Sequence, residues 1–180
     1  MLKKLVFLGT GTSSQIPLIP CLTQSPVSCA VCVSGRDPAS KNRRRNTSLA
    51  VTIEDSTGTE RTVLIDCGKS FYDGALAFFP VNGITSLDGL ILTHGHADAI
   101  LGLDDLRMWT NVADEGAVAL DIFLDHPTFN VVSSTFPYLV NSHGFNGGGG
   151  VASLNFNVFH ESLPEFEVAG LEFLPIQGSD

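Results

Sequence analysis

Apolar and polar positions along the 180-residue chain change period several times, and each change marks an element. Lys4 to Leu8 is a short apolar run that ends in "GTGTSS", which predicts a strand followed by a glycine-rich loop. Residues 15 to 46 show no periodicity and contain Pro17, Pro20, Pro26 and Pro38, so something other than regular secondary structure is expected to order them. Ser48 to Ile53 and Thr62 to Ile65 predict a hairpin closed by "EDSTGTE". A short helix is expected around Tyr72 to Phe79, then a buried strand at Gly89 to Leu92. Ile100, Leu103, Leu106 and Trp109 have helical spacing. Asp121 to Leu124 predicts another strand, and Pro127 starts a helical segment running to about Tyr138. After a loop holding Gly147 to Gly150, Leu154 to Phe159 and Phe166 to Ile176 are expected as strands. No repeat is present, and the alternation of strands with helices predicts an α/β protein.

The length suits one domain. A hydrophobic fraction of 43% against 16% charged residues excludes a disordered chain. The net charge of −9 opposes non-specific nucleic-acid binding, which needs cations to displace counterions. One basic run, Lys41 to Arg45, stands out against that acidity, and a solvated loop is its plain explanation. The apolar run before Gly9 is too short for a signal-peptide core, and no later run is long enough to span a bilayer. A cytoplasmic, membrane-free protein is therefore expected, with its four cysteines as thiols or metal ligands and the sequon at Asn46 unused.

The chemistry concentrates in Thr93-His94-Gly95-His96-Ala97-Asp98. In an extended segment, positions two apart point the same way, so His94 and His96 can reach one ion together. Imidazole suits zinc, and a carboxylate such as Asp98 suits a second, harder ion. The position after a strand is where α/β folds place their sites. The alternative is two exposed loop histidines followed by an aspartate that caps a helix. "SCAVC" places Cys29 and Cys32 at the spacing of a zinc knuckle, with Cys21 nearby. Ordinary thiols are the competing explanation. Cys67 is expected as a small core residue. "GTGTSS" lacks the third glycine of a dinucleotide fingerprint.

In order, "FLGTGTSS", "NTSLAV", "VLIDCG" and "LTHGHADAILGLDDLR" resemble the metallo-β-lactamase fold. More narrowly they resemble its phosphodiesterase branch, which includes the phosphoribosyl cyclic phosphodiesterases and is related to tRNA 3′-processing nucleases. The resemblance implies a four-layer αββα sandwich, of which residues 1–180 would form mainly the N-terminal half. It implies a dinuclear centre with His94 and His96 on the first metal and Asp98 on the second or orienting the attacking water. Zinc is the metal the imidazoles favour, with manganese or magnesium expected at a carboxylate-richer second site; a small phosphodiester is the implied substrate, hydrolysed by metal-activated water. Asp66 would orient the histidine loop, unless it is merely a strand-end turn residue. The branch also implies a structural zinc on Cys21, Cys29 and Cys32 within the 15–46 insertion, closed by a distant histidine. A thioester-hydrolase relative of the same fold fits "GLDDLR" and the cysteines less well.

Two departures qualify the expectation. The family motif ends in a histidine where this chain has Ala99, so the second metal loses a ligand. The later ligands of the family follow a segment like "VAGLEFLPIQ", and this sequence ends soon after it. His126, His143 and His160 sit in no matching motif and are expected at the surface. An incomplete domain would leave one sheet face uncovered, with lower stability, self-association through that face and poor catalysis. The competing reading is an inactive isoform or an interaction protein. Arg107 with Asp104 and Asp105 is expected to pair along a helix, with a site-facing Asp105 as the alternative.

Overall fold

The computed structural model describes residues 1–110, 119–141, 151–159 and 165–176. Its centre is a six-stranded sheet in chain order: β1 (Leu2–Gly9), β2 (Ser48–Glu54), β3 (Glu60–Ile65), β4 (Gly89–Ile91), β5 (Leu120–Asp125) and β6 (Leu154–Phe159). The first three strands are antiparallel and the last three continue in parallel, so the connections from β3 onward need crossovers. α3 (Phe71–Asn82), α4 (Ala97–Ile100), α5 (Arg107–Thr110), α6 (His126–Thr135) and α7 (Pro137–Val140) lie in those crossovers.

β5 shows why the helices choose one face. Leu120, Ile122 and Leu124 are buried, whereas Asp121, Phe123 and Asp125 alternate with them and are only partly covered. Val6, Ala50, Leu64, Leu90 and Ile122 join Phe71, Ile100, Leu106, Val132 and Leu139 in one core. Phe71, Phe79 and Trp109 close it with edge-on and tilted ring contacts at 5.7–6.3 Å.

Among the described residues the opposite face is covered only in part. A hairpin of β7 (Phe166–Val168) and β8 (Leu171–Phe173) lies over it, with Phe166 stacked on Phe123 at 5.3 Å. Val168 packs where Gly89 leaves no Cβ. Towards β1 the same face carries Leu5 and Phe7, which are 54% and 56% exposed. Among the described residues no helix is long and apolar enough to cross a membrane.

Four local expectations are corrected. Phe166 to Ile176 is not one strand, because Ala169 and Gly170 both adopt positive φ and turn the chain back as a tight hairpin. The helical spacing from Ile100 to Trp109 is realised as α4, a 3₁₀ turn at Leu103–Leu106 and α5. The segment from Pro127 breaks at Phe136, whose φ and ψ of −128° and 62° leave the helical region before Pro137 restarts it. Residues 15–46 do hold regular structure, in the single-turn helices α1 (Ile19–Thr23) and α2 (Ala30–Ser34). The hairpin β2–β3, helix α3 and strands β4 to β6 stand where the pattern placed them.

Asn46 ties the glycine-rich loop down. Its amide donates to the carbonyls of Thr12 and Ser13 at 3.0 and 3.3 Å, and its backbone N–H donates to Ser70 Oγ at 2.8 Å. A side chain 2% exposed is closed to glycosylation, so the sequon is structural.

Candidate metal centre

β4 ends at Ile91, and the chain leaves the sheet through Leu92 and Thr93 into the histidine loop. Two buried backbone clamps fix that exit. Cys67 N–H donates to Ala99 O and Gly102 N–H to Cys67 O, each at 2.8 Å, which fastens α4 to the end of β3. Gly68 permits this approach, since a Cβ there would lie 1.7 Å from Asp98 O.

Asp66 leaves β3 with φ of +59°, a left-handed conformation that aspartate tolerates. Its carboxylate accepts from Thr93 N–H at 2.8 Å and from Thr93 Oγ1 at 2.7 Å. Thr93 Oγ1 also lies 2.9 Å from His94 Nδ1. Because the single hydroxyl proton is committed to Asp66, Thr93 accepts from His94 Nδ1–H, which assigns the lone pair to Nε2. Asp66 thus stands at the end of β3 and is hydrogen-bonded to Thr93, the neighbour of His94. Burial pushes the Asp66 carboxyl above its ordinary value, while the two Thr93 hydrogen bonds oppose that shift. Thr93 is the residue the sequence reading missed. Its only signal was a hydroxyl next to His94 at a strand end.

His94, His96 and Asp98 each offer one ligand atom, and these atoms lie within 4.8 Å of one another. His94 Nε2 is 3.7 Å from Asp98 Oδ1, and the two imidazoles meet edge-on at 5.0 Å. Donors sharing a tetrahedral zinc sit roughly 3.3 Å apart, so only small side-chain movements separate this set from a coordination shell. Asp98 does not cap a helix as the alternative required. His96 occupies the cap position of α4, and Asp98 lies inside the first turn. Ala99 is 1% exposed, its methyl group is in the core, and it adds no donor.

Asp104 pairs with Arg107 at 3.1 Å and accepts from Tyr138 Oη at 3.1 Å. Asp105 belongs to no ligand cluster among the described residues. His126 is exposed on the first turn of α6, as expected, while His143 and His160 lie outside the described residues. An apolar cavity of about 260 Å³, walled in part by Phe123, Phe159, Phe166 and Phe173, opens against Thr93.

Cys21, Cys29 and Cys32 form a second convergent group, again with ligand atoms within 4.8 Å of one another. Contact with Cys32, first through its backbone, holds the Cys29 thiol below its ordinary value; a hydrogen bond to Cys32 is the main cause that raises Cys21. All three are free thiols, and Leu18 N–H donates to Cys32 Sγ at 3.4 Å. Cys67 is fully buried, as expected of a core residue, and burial pushes its thiol well up.

Against known proteins, residues 61–177 match the family described as the β-lactamase superfamily domain. The structure is similar to a diphosphatase from the PhnP family, with a TM-score of 0.69 and 32% identity over 95% of this chain and 55% of that one. It shares its fold with zinc-bound PqqB from Methylobacterium extorquens, at a TM-score of 0.58 and 17% identity, over 88% of this chain and 47% of that one. An octanoyltransferase from Porphyromonas gingivalis is 38% identical over 102 residues, which is 57% of this chain and 17% of that protein. The chain thus spans about half the length of the solved relatives and less of the octanoyltransferase. With its mixed sheet and its histidine loop at the end of β4, the chain belongs to the β-lactamase superfamily domain family.

Proposed function

We propose that the chain is a metal-dependent hydrolase acting on a phosphodiester bond, of the cyclic phosphate or nucleotide type. The observation that carries the proposal is the convergence of His94, His96 and Asp98 on one strand-end loop. The likeness to a PhnP-family diphosphatase at 32% identity supports the phosphate-ester substrate class. Two imidazoles and one carboxylate suit zinc better than manganese.

Zinc held there would supply Lewis-acid polarisation of a phosphoryl oxygen and a water acidified towards neutral pH. His94 presents Nε2 because its Nδ1 proton is held by Thr93. Asp98 completes the donor set or orients the attacking water. With Ala99 buried, we read the centre as mononuclear. Residues 1–180 are read as part of a domain of this family, with 15–46 as an insertion ordered by a structural zinc on Cys21, Cys29 and Cys32.

Hydrolysis of bis-(p-nitrophenyl) phosphate with added zinc or manganese tests the activity. The reading predicts turnover that vanishes in His94→Ala and His96→Ala. Absence of turnover with either metal would favour the inactive or interaction-protein reading instead.

A further inference from the structure

A second feature involves none of the three residues of the histidine loop cluster. Lys41, Arg43, Arg44 and Arg45 line one cavity of about 550 Å³ together with Thr10, Ser40, Phe7 and Phe78. Four of the chain's ten lysines and arginines meet there, in a protein of net charge −9, and no carboxylate lines the cavity. None of the four cations makes an ion pair with a described residue.

Like charges brought together with no ion pair among the described residues repel, so this grouping has an energetic cost that a bound anion would lower. Arg45 shows the strain most clearly. Its Nε is buried and has no hydrogen-bond partner, while its guanidinium lies 5.6 Å from the centre of the Phe78 ring. A buried unsatisfied donor on a cation is costly unless a ligand satisfies it. Burial and Arg43 both weaken its hold on the proton, and Asp73 opposes them from α3 without forming an ion pair. Arg44 is already oriented, donating from Nη1 to Thr10 Oγ1 at 2.9 Å. The four cationic residues thus line the cavity, and Phe78 and Pro38 supply apolar wall beside them.

We propose that this cavity binds a small organic phosphate, with the phosphate on the arginines and an aromatic or sugar body against Phe78. Guanidinium groups suit phosphate through paired N–H donors, and aromatic rings suit a nucleobase. The cavity shares no lining residue with the apolar one beside Thr93, and none of His94, His96 and Asp98 lines it.

Equilibrium dialysis with AMP, inorganic phosphate and uncharged adenosine tests the proposal, in the wild type and in a His94→Ala/His96→Ala background. Saturable AMP binding is expected in both backgrounds, weaker for inorganic phosphate and absent for adenosine. Lys41→Glu/Arg43→Glu is expected to weaken AMP binding at least about tenfold in both, with an unchanged melting temperature showing that the fold persists. The single Lys41→Glu change, at an exposed position, gives a smaller loss and serves if the double variant does not fold. AMP binding that disappears with the histidine variants, ignores the charge reversals, or never saturates overturns the proposal. The histidine background separates this result from any failure of the hydrolase reading.

Discussion

Asp66 and His94 are coupled through one hydroxyl group: Thr93 Oγ1 donates to Asp66 Oδ2 at 2.7 Å and stands 2.9 Å from His94 Nδ1. That chain fixes the tautomer of His94, and outer partners of this kind tune metal affinity. Thr93→Val keeps the shape of the side chain but removes the link. It is expected to weaken zinc binding at the histidine loop roughly 10- to 100-fold, with little change in melting temperature. Competition with a chelating dye measures the affinity, and an unchanged value would show that the link does not matter.

Gly68 is a second control point, because its missing Cβ lets Asp98 approach the end of β3. Gly68→Ala would place a methyl group 1.7 Å from Asp98 O. The backbone must then move, at a cost of about 1–3 kcal/mol, and Asp98 moves with it. The variant is expected to lose both stability and zinc affinity, read by chemical denaturation and dye competition on the same preparation.

Ala99 tests the number of ions. Its methyl group is 1% exposed, so Ala99→His must force an imidazole into packed core or push α4 outward. The expected outcome is a loss of about 1–3 kcal/mol in stability with no further ion bound. A stable variant that takes up one more metal would show that the loop accommodates a dinuclear centre.

Asp55 gives a pH dependence remote from the metal. It accepts from Thr57 Oγ1 at 2.6 Å and from the backbone of Thr57 and Thr59, and it pairs with Arg61 at 3.3 Å. The Thr57 hydroxyl first, with the turn amides and Arg61, holds its carboxyl well below the ordinary value of 3.8. The unfolded chain therefore takes up a proton before the folded chain does. The stabilisation from Asp55 is complete above the ordinary carboxylate value and is lost as pH falls towards the folded one. Asp55→Asn should lower the melting temperature at neutral pH, and the difference should shrink as the solution is acidified below pH 3.8.

Much of this architecture was legible because period-2 and helical patterns report burial directly. β5 reads as Leu-Asp-Ile-Phe-Leu-Asp and folds with every other residue inside. The histidine pair was legible for the same reason, since positions 94 and 96 share a side of an extended segment. The β7–β8 turn was not, because Ala169-Gly170 carries no Asn or Asp to announce a left-handed pair. Nor was the role of Thr93, which depends on Asp66 arriving from a neighbouring strand. The basic cavity was invisible as well. Its run "KNRRR" reads as a solvated loop until the end of β1 and the following Thr10 come beside it and α3 brings Phe78.

The cysteine group can be probed separately. Cys29→Ser/Cys32→Ser is expected to abolish the thiolate-to-metal charge-transfer band of the cobalt-substituted protein while sparing metal at the histidine loop. A cobalt protein without that band in the wild type would leave the three residues as ordinary thiols.

The most direct measurement is zinc content paired with turnover of bis-(p-nitrophenyl) phosphate in the wild type and in His94→Ala/His96→Ala. Removal of the two imidazoles is predicted to cost one equivalent of zinc and all turnover, with the zinc at Cys21, Cys29 and Cys32 retained. Equal zinc content and equal turnover in the two proteins would contradict the assignment of this loop as the catalytic metal centre.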